Sequence, residues 1–359
     1  MRGYIISMNS KERVLTALKH EQPDRTPCNY IGTPEISDVL KKHFSTEDMD
    51  VVLKNLGVDL RVIKLPYVGP ELRKWQDGRF QNYWGHIRKS VKNQAGQYDE
   101  AAEYPYANFK TIHDVDTFRW PQLDWFDISK VVEDCDRYSD YAVVYGAPSN
   151  MDMINGTRYG MGFQTFMENM ALRDEITVAC MEKRFKFCYA LSERVLKEAD
   201  GRIDILWIGD DYGAQDRMQI SPTMFRELFM PKLRQMCELG HSYGAKVMLH
   251  SCGSTREIWP DLIKAGVDIY ETVQPEAKGM DPAELKKEFG DRICFHGTIS
   301  TQNTLPFGTP QDVALEVRLR IDTVGKNGGL ILASSHNIQP DTSLQNILTL
   351  YQTVKEYKN

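Results

Sequence analysis

The chain predicts an α/β fold of the (β/α)8 TIM barrel type, on three observations. Eight apolar, β-rich runs recur along its 359 residues, amphipathic helical patterns fall between most of them, and polar residues able to bind metal or move protons follow directly after those runs. Strands alternating with helices argue for parallel pairing rather than a sandwich, and eight such strands close a barrel. Barrel enzymes carry their chemistry at the C-terminal rim of the strands, so the third observation selects candidate residues directly. Barrels of this length are commonly one unit with insertions, so residues 1–359 are read as a single domain.

The elements follow in order. Helical patterning begins after Asn9 with Ser10–His20, which makes Met8 the natural start and residues 1–8 a disordered or non-native extension. Strands are expected at Pro27–Ile31 and Asp59–Ile63. From about Pro66 to Asp127 the rhythm breaks: Trp75, Tyr83, Trp84, Tyr104, Tyr106, Trp120 and Trp125 crowd a stretch without helical period. That stretch is read as an irregular aromatic-rich insertion between the second and third strands, with a hairpin near Phe80–Val91. The remaining strands are expected at Tyr141–Gly146, Ile203–Ile208, Ala245–His250, Val267–Glu271, Arg292–His296 and Gly329–Ser334. Further helices are expected at Thr177–Ala199, Ser221–Tyr243, Asp281–Phe289, Pro310–Asn327 and Thr342–Tyr357. Ser221 before Pro222 and Thr309 before Pro310 pair an N-cap hydroxyl with proline at the first helical position.

The rim rule then picks out side chains. His250 and Cys252 in K-V-M-L-H-S-C-G lie two residues apart, so in an extended strand they share a face and can offer nitrogen and sulfur to a borderline-soft ion such as zinc. His336, just past the last strand, is the expected third metal ligand. The plain alternatives are a satisfied core histidine and a buried apolar thiol. Asp210 and Asp211 follow the fourth strand; one is expected to cap a helix, and Asp211 to contact substrate or cofactor and to act in catalysis. His296 is a second catalytic candidate, with a core histidine as its alternative. Tyr30, Asn150, Met151, Gln215 and Gln274 are the expected substrate contacts. The Met151–Met167 region, loosened by Gly156, Gly160 and Gly162, reads as packing or as the wall of an apolar pocket.

Composition narrows the class. Net charge is −6 with interleaved signs and no basic block, so neither nucleic acid nor an anionic membrane is an expected partner. Seven cysteines without a CxxC pair, no secretory leader and no run long enough for a membrane span suggest reduced thiols in a cytoplasm. There is no P-loop, no G-x-G-x-x-G after a strand and no G-x-S-x-G elbow, which weighs against nucleotide binding and serine hydrolysis. A D-x-H-x-x-G run of the kind that holds a corrinoid's lower ligand is also absent, so a corrinoid would arrive on a separate protein.

K-E-R-V at 11–14, Q-P-D-R-T-P at 22–27, G-D-D-Y-G-A-Q at 209–215, S-P-T-M-F at 221–225, H-S-C-G at 250–253, V-Q-P-E at 273–276, His296 with Gly297, and S-H-N-I-Q-P-D at 335–341 together resemble the uroporphyrinogen decarboxylase superfamily over nearly the whole length. The resemblance implies a (β/α)8 barrel and one of two activities: decarboxylation, or methyl transfer by zinc enzymes that work with methylated corrinoid proteins. Decarboxylases carry an R-Q-A-G-R run for the substrate's carboxylates, whereas residues 26–33 here read T-P-C-N-Y-I-G-T. Without guanidinium partners a many-carboxylate tetrapyrrole lacks its charge complement. The zinc branch is closer at H-x-C-G, although its final ligand is a cysteine in A-P-G-C where this chain has Ala333, Ser334, Ser335 and His336. A His, Cys, His set leaves zinc one positive unit and makes it a stronger Lewis acid. The resemblance therefore implies a zinc methyltransferase, demethylating a small O- or N-methylated substrate onto a separate corrinoid protein docked at the barrel mouth. A metal-free decarboxylase using Asp211 and His336 and a non-catalytic tetrapyrrole- or corrinoid-binding barrel are the competing readings, and a homodimer is left open.

Overall fold

The computed structural model describes residues 7–93 and 96–357. In chain order the strands are β1 (Leu60–Ile63), β2 (Arg79–Gln81), β3 (Ile87–Asn93), β4 (Gly96–Glu103), β5 (Ala142–Gly146), β6 (Ile205–Gly209), β7 (Lys246–His250), β8 (Ile269–Val273), β9 (Cys294–Ile299) and β10 (Leu330–Ser334). Seven of them form one parallel sheet in the order β1-β5-β6-β7-β8-β9-β10, curled into a TIM-barrel-like wall. These strands read as nearly continuous apolar runs because both faces are covered: helices pack outside, and inside Leu60, Ala142, Val144, Ile205, Trp207, Met248, Ile269, Cys294 and Ile331 interdigitate.

The sheet has seven strands where the sequence predicts eight. The expected first strand, Pro27–Ile31, is an extended segment with isolated parallel bridges from Cys28 to Leu332 and from Gly32 to Ile338. It bonds along β10, where the Leu332 amide donates to the Pro27 carbonyl at 2.8 Å and the Asn29 amide to the Leu332 carbonyl at 3.0 Å. Toward β1 it has one backbone bond, Asp59 amide to Cys28 carbonyl. Pro27 has no amide to give, and the Cys28 amide is taken by the Asp59 carboxylate at 2.8 Å, so no ladder starts there. Asp59 is buried between the guanidinium groups of Arg13 and Arg25.

The other expected strands stand within two residues of their predicted bounds, except that β9 runs three residues further, to Ile299. The predicted Ser221–Tyr243 helix is continuous but contains a π-turn at Phe225–Phe229. Pro231 has no N–H for the carbonyl four residues back, and the wider turn absorbs that loss. A second π-turn, Ile321–Gly325, ends the regular part of the predicted Pro310–Asn327 helix at Arg320.

The insertion after β1 is more regular than its sequence suggests. β2, β3 and β4 form a three-stranded antiparallel sheet, and Ile112–Thr117 is a short helix with a Thr111/Asp114 capping box. Tyr98, on β4, donates its hydroxyl to Gln339 in the loop after β10 at 2.5 Å, so this sheet is tied to the loop beyond the Pro27–Gly32 segment. Of the expected N-terminal extension, residues 1–6 lie outside the described residues. Met8 is tied in, its amide to Asp24 and its carbonyl to Arg13. Among the described residues no helix is long and apolar enough to cross a membrane.

Candidate active site

Period-two alternation sets the site. In β6 the residues pointing inward are Ile205 and Trp207; in β7, Met248 and then His250; in β8, Ile269 and then Glu271; in β9, Cys294 and then His296. One step above the apolar layer each strand therefore delivers a polar or aromatic group. Register brings them level, with His250 directly paired to Glu271 and Gly209 to His250.

His250 Nδ1 lies 2.5 Å from Glu271 Oε2, and the indole Nε1 of Trp207 donates to the same oxygen at 3.1 Å. Glu271 therefore fixes the imidazole, and Nε2 faces the mouth. There it meets Cys252 Sγ and Asp211 Oδ1, each at 3.5 Å. Asp211 is itself held, its Oδ1 accepting from the Cys252 amide at 2.9 Å and its Oδ2 from Asn155 Nδ2 at 2.7 Å. Asp211, His250 and Cys252 thus bring one oxygen, one nitrogen and one sulfur within 4.8 Å of one another.

Charge follows from that packing. Burial opposes ionisation of Asp211, but His250, Asn155 and the Cys252 amide outweigh it and hold the carboxyl well below its usual range. Burial likewise works against the His250 cation, and Glu271, Asp211 and Cys252 more than compensate, so its proton affinity is raised. Glu271 is lowered despite burial, chiefly by His250. The Cys252 thiol is pushed up by burial, with His250 pulling the other way.

The two adjacent aspartates divide as the sequence suggests. Asp210 accepts from the Met153 and Ile154 amides at 2.8–3.0 Å and caps the helix Ile154–Met161, while Asp211 turns into the site. Burial and the neighbouring Asp152 carboxyl push Asp210 up.

His336 lies across the mouth with its ring centroid 6.4 Å from that of His250. Two imidazoles on one tetrahedral zinc, with Zn–N near 2.0 Å, hold their centroids roughly 5 Å apart. His336 is thus about an ångström outside that spacing, and the tight trio contains Asp211 where the sequence expected His336. His296 is fully buried, bonded through Nε2 to Asn29 at 3.0 Å, with Nδ1 unpartnered. Burial keeps it neutral, down to about 4.

The expected substrate contacts scatter. Gln274 accepts the Gly253 amide at 2.6 Å and so shapes the turn after Cys252. Asn150 lines a cavity of about 550 Å³ beside β1 and β5, and Tyr30 a second of about 560 Å³ between β1 and the Pro27–Gly32 segment. Met151 is fully buried, with a left-handed φ of 72°. Gln215 is exposed and bonded to the Glu276 carbonyl, outside the trio. Sequence reasoning noted Glu271 only as a strand-end residue and passed over Trp207 and Asn155. The alternation Ile205, Trp207 was the available signal for Trp207; nothing in sequence joins Asn155 to Asp211.

The chain belongs to the uroporphyrinogen decarboxylase (URO-D) family, whose model matches residues 146–357. Among curated relatives it is 32% identical over 155 residues to a methylcobamide:CoM methyltransferase, MtaA, of Methanosarcina barkeri, covering 43% of this chain and 42% of that protein. It is 23% identical over 175 residues to a uroporphyrinogen decarboxylase of Chlorobaculum parvum, covering 48% and 47%. Each match spans less than half of the relative's own length. The fold is that of a methyltransferase from Methanosarcina mazei, with a TM-score of 0.66 at 18% identity over 98% of this chain and 99% of that one.

Proposed function

We propose that this protein is a zinc-dependent methyltransferase that moves a methyl group between a small O- or N-methylated compound and a separate corrinoid protein. The observation that carries the reading is the trio Asp211, His250 and Cys252 with His250 locked by Glu271. A carboxylate behind a ligating imidazole is the arrangement that fixes its tautomer and orientation in zinc sites, and the O, N, S donor set suits zinc. Zinc held there would supply a Lewis acid to the heteroatom that gives up or receives the methyl group. The likeness to a methylcobamide:CoM methyltransferase supports the corrinoid as co-substrate.

The chain's own residues have defined work. Glu271 accepts the Nδ1 proton of His250 and leaves Nε2 as the donor atom; Asn155 and the Cys252 amide hold Asp211 with one oxygen toward the trio. His336 is retained as a fourth ligand or a substrate contact, and His296 and Asp211 as the candidate proton-handling groups. Tyr30, Asn150, Met151, Gln215 and Gln274 are retained as candidate contacts; Asn150 and Tyr30 have the best support because each lines a cavity. With Asp211 ligating, two anionic ligands offset the metal's charge, and the positive unit expected of a His, Cys, His set is gone. Demethylation then rests on the aromatic cavity beside the site rather than on the metal's charge. The same reading makes residues 1–359 one (β/α)8 barrel domain working in the cytoplasm.

The test is elemental analysis joined to a transfer assay. The purified protein is expected to hold about one zinc, and His250→Ala and Cys252→Ser much less. With Co(I) corrinoid protein and a panel of methoxylated aromatics and methylamines, the Co(I) absorption is expected to give way to methyl-Co(III). Zinc below about half an equivalent after supply, or carbon dioxide release from a carboxylated tetrapyrrole without any cobalt signal, overturns the reading.

A further inference from the structure

We infer that Arg184 is a positioning residue of the trio: from the helix Glu175–Ala199 its guanidinium seats the first turn of the helix Ile154–Met161, and so sets where Asn155 holds Asp211. The inference rests on the zinc reading and adds to it a residue whose own hydrogen bond and ion pair go to Asp152 and not to the trio.

The contact with Gly156 is the first observation. A Cβ at that position would stand 1.8–2.2 Å from Nη2, Cζ and Nε of Arg184, closer than any carbon can come, so only glycine lets the flat guanidinium lie there. The guanidinium is not free to swing aside. Arg184 is fully buried, its Nε donates to the Asp152 carbonyl at 2.7 Å, and its Cζ lies 3.9 Å from the centroid of the Trp84 ring. Arg184 therefore grips the chain at residues 152 and 156, on either side of Asn155.

The second observation is that Asn155 has no other anchor. Its Nδ2 donates to Asp211 Oδ2 at 2.7 Å, while its Oδ1 is buried without a partner, so the direction of the amide follows the backbone of its own turn. Asp211 follows the amide. That turn is held from the opposite side by Asp210, which accepts the Met153 and Ile154 amides at 2.8–3.0 Å, so any shift of Arg184 works against a fixed cap and is passed to Asn155.

The third is that stability alone does not account for an arginine here. Its carboxylate contact, Nη2 to Asp152 Oδ2, is 3.9 Å long, and Nη1 is buried without a partner. A buried cation matched so loosely adds little to stability, and an apolar side chain of its volume would fill the core as well. An apolar side chain lacks the donor for the Asp152 carbonyl and the flat face for Gly156, the two contacts that fix the helix start.

Zinc affinity of the full chain, read by chelator competition in a double-mutant cycle, tests it. Asn155→Ala, which removes the bond to Asp211, is expected to weaken zinc binding about ten-fold, as loss of a group that supports a metal ligand does. Gly156→Ala, whose methyl group displaces the guanidinium, should cause a loss of the same order, and the two together no more than Asn155→Ala alone. The visible spectrum of the cobalt(II)-loaded protein should shift alike in both single variants, a change that lost stability by itself does not produce. Arg184→Lys keeps the charge and a donor but not the plane; it should show the same zinc loss with an unchanged circular dichroism spectrum, and it takes the place of Gly156→Ala if that variant does not fold. Losses that multiply in the double variant, or parental zinc affinity in any of the single ones, overturn the inference. A crystal structure of the metal-free Gly156→Ala or Arg184→Lys protein separates the two readings. A broken bond between Asn155 and Asp211 in a protein whose parent takes up no zinc sinks the zinc reading alone, whereas an unbroken bond sinks this inference alone, whatever the metal content.

Discussion

On the β6–β8 side of the barrel mouth, Asp211, His250, Cys252 and Glu271 sit within 2.5–3.5 Å of their neighbours, with the Asp211, His250 and Glu271 side chains each held by more than one polar group. On the β1–β5 side the mouth is lined by Tyr67, Tyr83, Trp84, Phe126 and Phe187, packed ring against ring, with Lys64 at the rim. The first side is dictated by register: neighbouring strands place successive inward residues level, and short loops keep them there. The second is assembled from an insertion and from the helix Glu175–Ala199, so its shape depends on tertiary packing rather than on strand pairing. A single rim thus joins a rigid electrostatic half to an apolar half whose composition can vary without disturbing the first, the division by which barrels change substrate while keeping their chemistry.

The largest expected effect lies on the polar side. Cys252→Ser or Asp211→Asn should lower zinc affinity by more than about 100-fold, beyond what loss of a supporting carboxylate costs. Competition with a chromophoric chelator reads this, and an equal loss in His336→Ala would make that residue the fourth ligand beside Asp211, His250 and Cys252. Glu271→Gln comes next: an intact fold with affinity reduced roughly 10–100-fold, because the amide accepts the Nδ1 proton more weakly than a carboxylate does. An unchanged affinity would detach Glu271 from the metal site.

The third prediction concerns acid. His296 titrates near 6.5 when unfolded and is pushed down to about 4 in the fold, so below pH 6.5 the unfolded chain binds the extra proton. Stability should be fully present at pH 7 and fall by about 2 kcal/mol by pH 5 from this group alone. Urea unfolding of His296→Gln beside the parent would show a flatter profile; parallel profiles would refute the assignment. The smallest effect belongs to the aromatic side. Phe187→Leu should cost about 1 kcal/mol through its lost ring contacts and leave zinc affinity untouched. A zinc change there would mean that the two halves are coupled.

The same contrast explains what could be read in advance. Seven strands, the H-x-C pair and the split between Asp210 and Asp211 were legible, because apolar runs and i, i+2 spacing act locally. The Pro27–Ile31 segment was misjudged because its composition suits a strand; what stops the ladder is a carboxylate 31 residues away claiming the Cys28 amide. The sheet of β2–β4 was only half visible as a hairpin, since Gly96–Glu103 is polar and mostly exposed and so carries no core-facing alternation. The roles of Glu271 and Trp207 depended on register, which fixes the partners of a strand residue and is not written in either strand separately.

The seam beside β1 bears on synthesis. The Pro27–Gly32 segment is stitched to Leu332 and Ile338, some 300 positions later, and by a single backbone bond to the stretch that follows it. Contacts of such separation form late and slowly. A nascent chain emerging from the ribosome therefore leaves this flank of the wall uncovered, with the apolar interior around Leu60 and Ile331 unsealed, until residue 338 has cleared the exit tunnel. Proteolysis of stalled chains should find residues 27–32 accessible when translation halts at 320 and protected when it halts beyond the exit-tunnel length past 338. Protection at the shorter length would show that the segment docks without its distant partner.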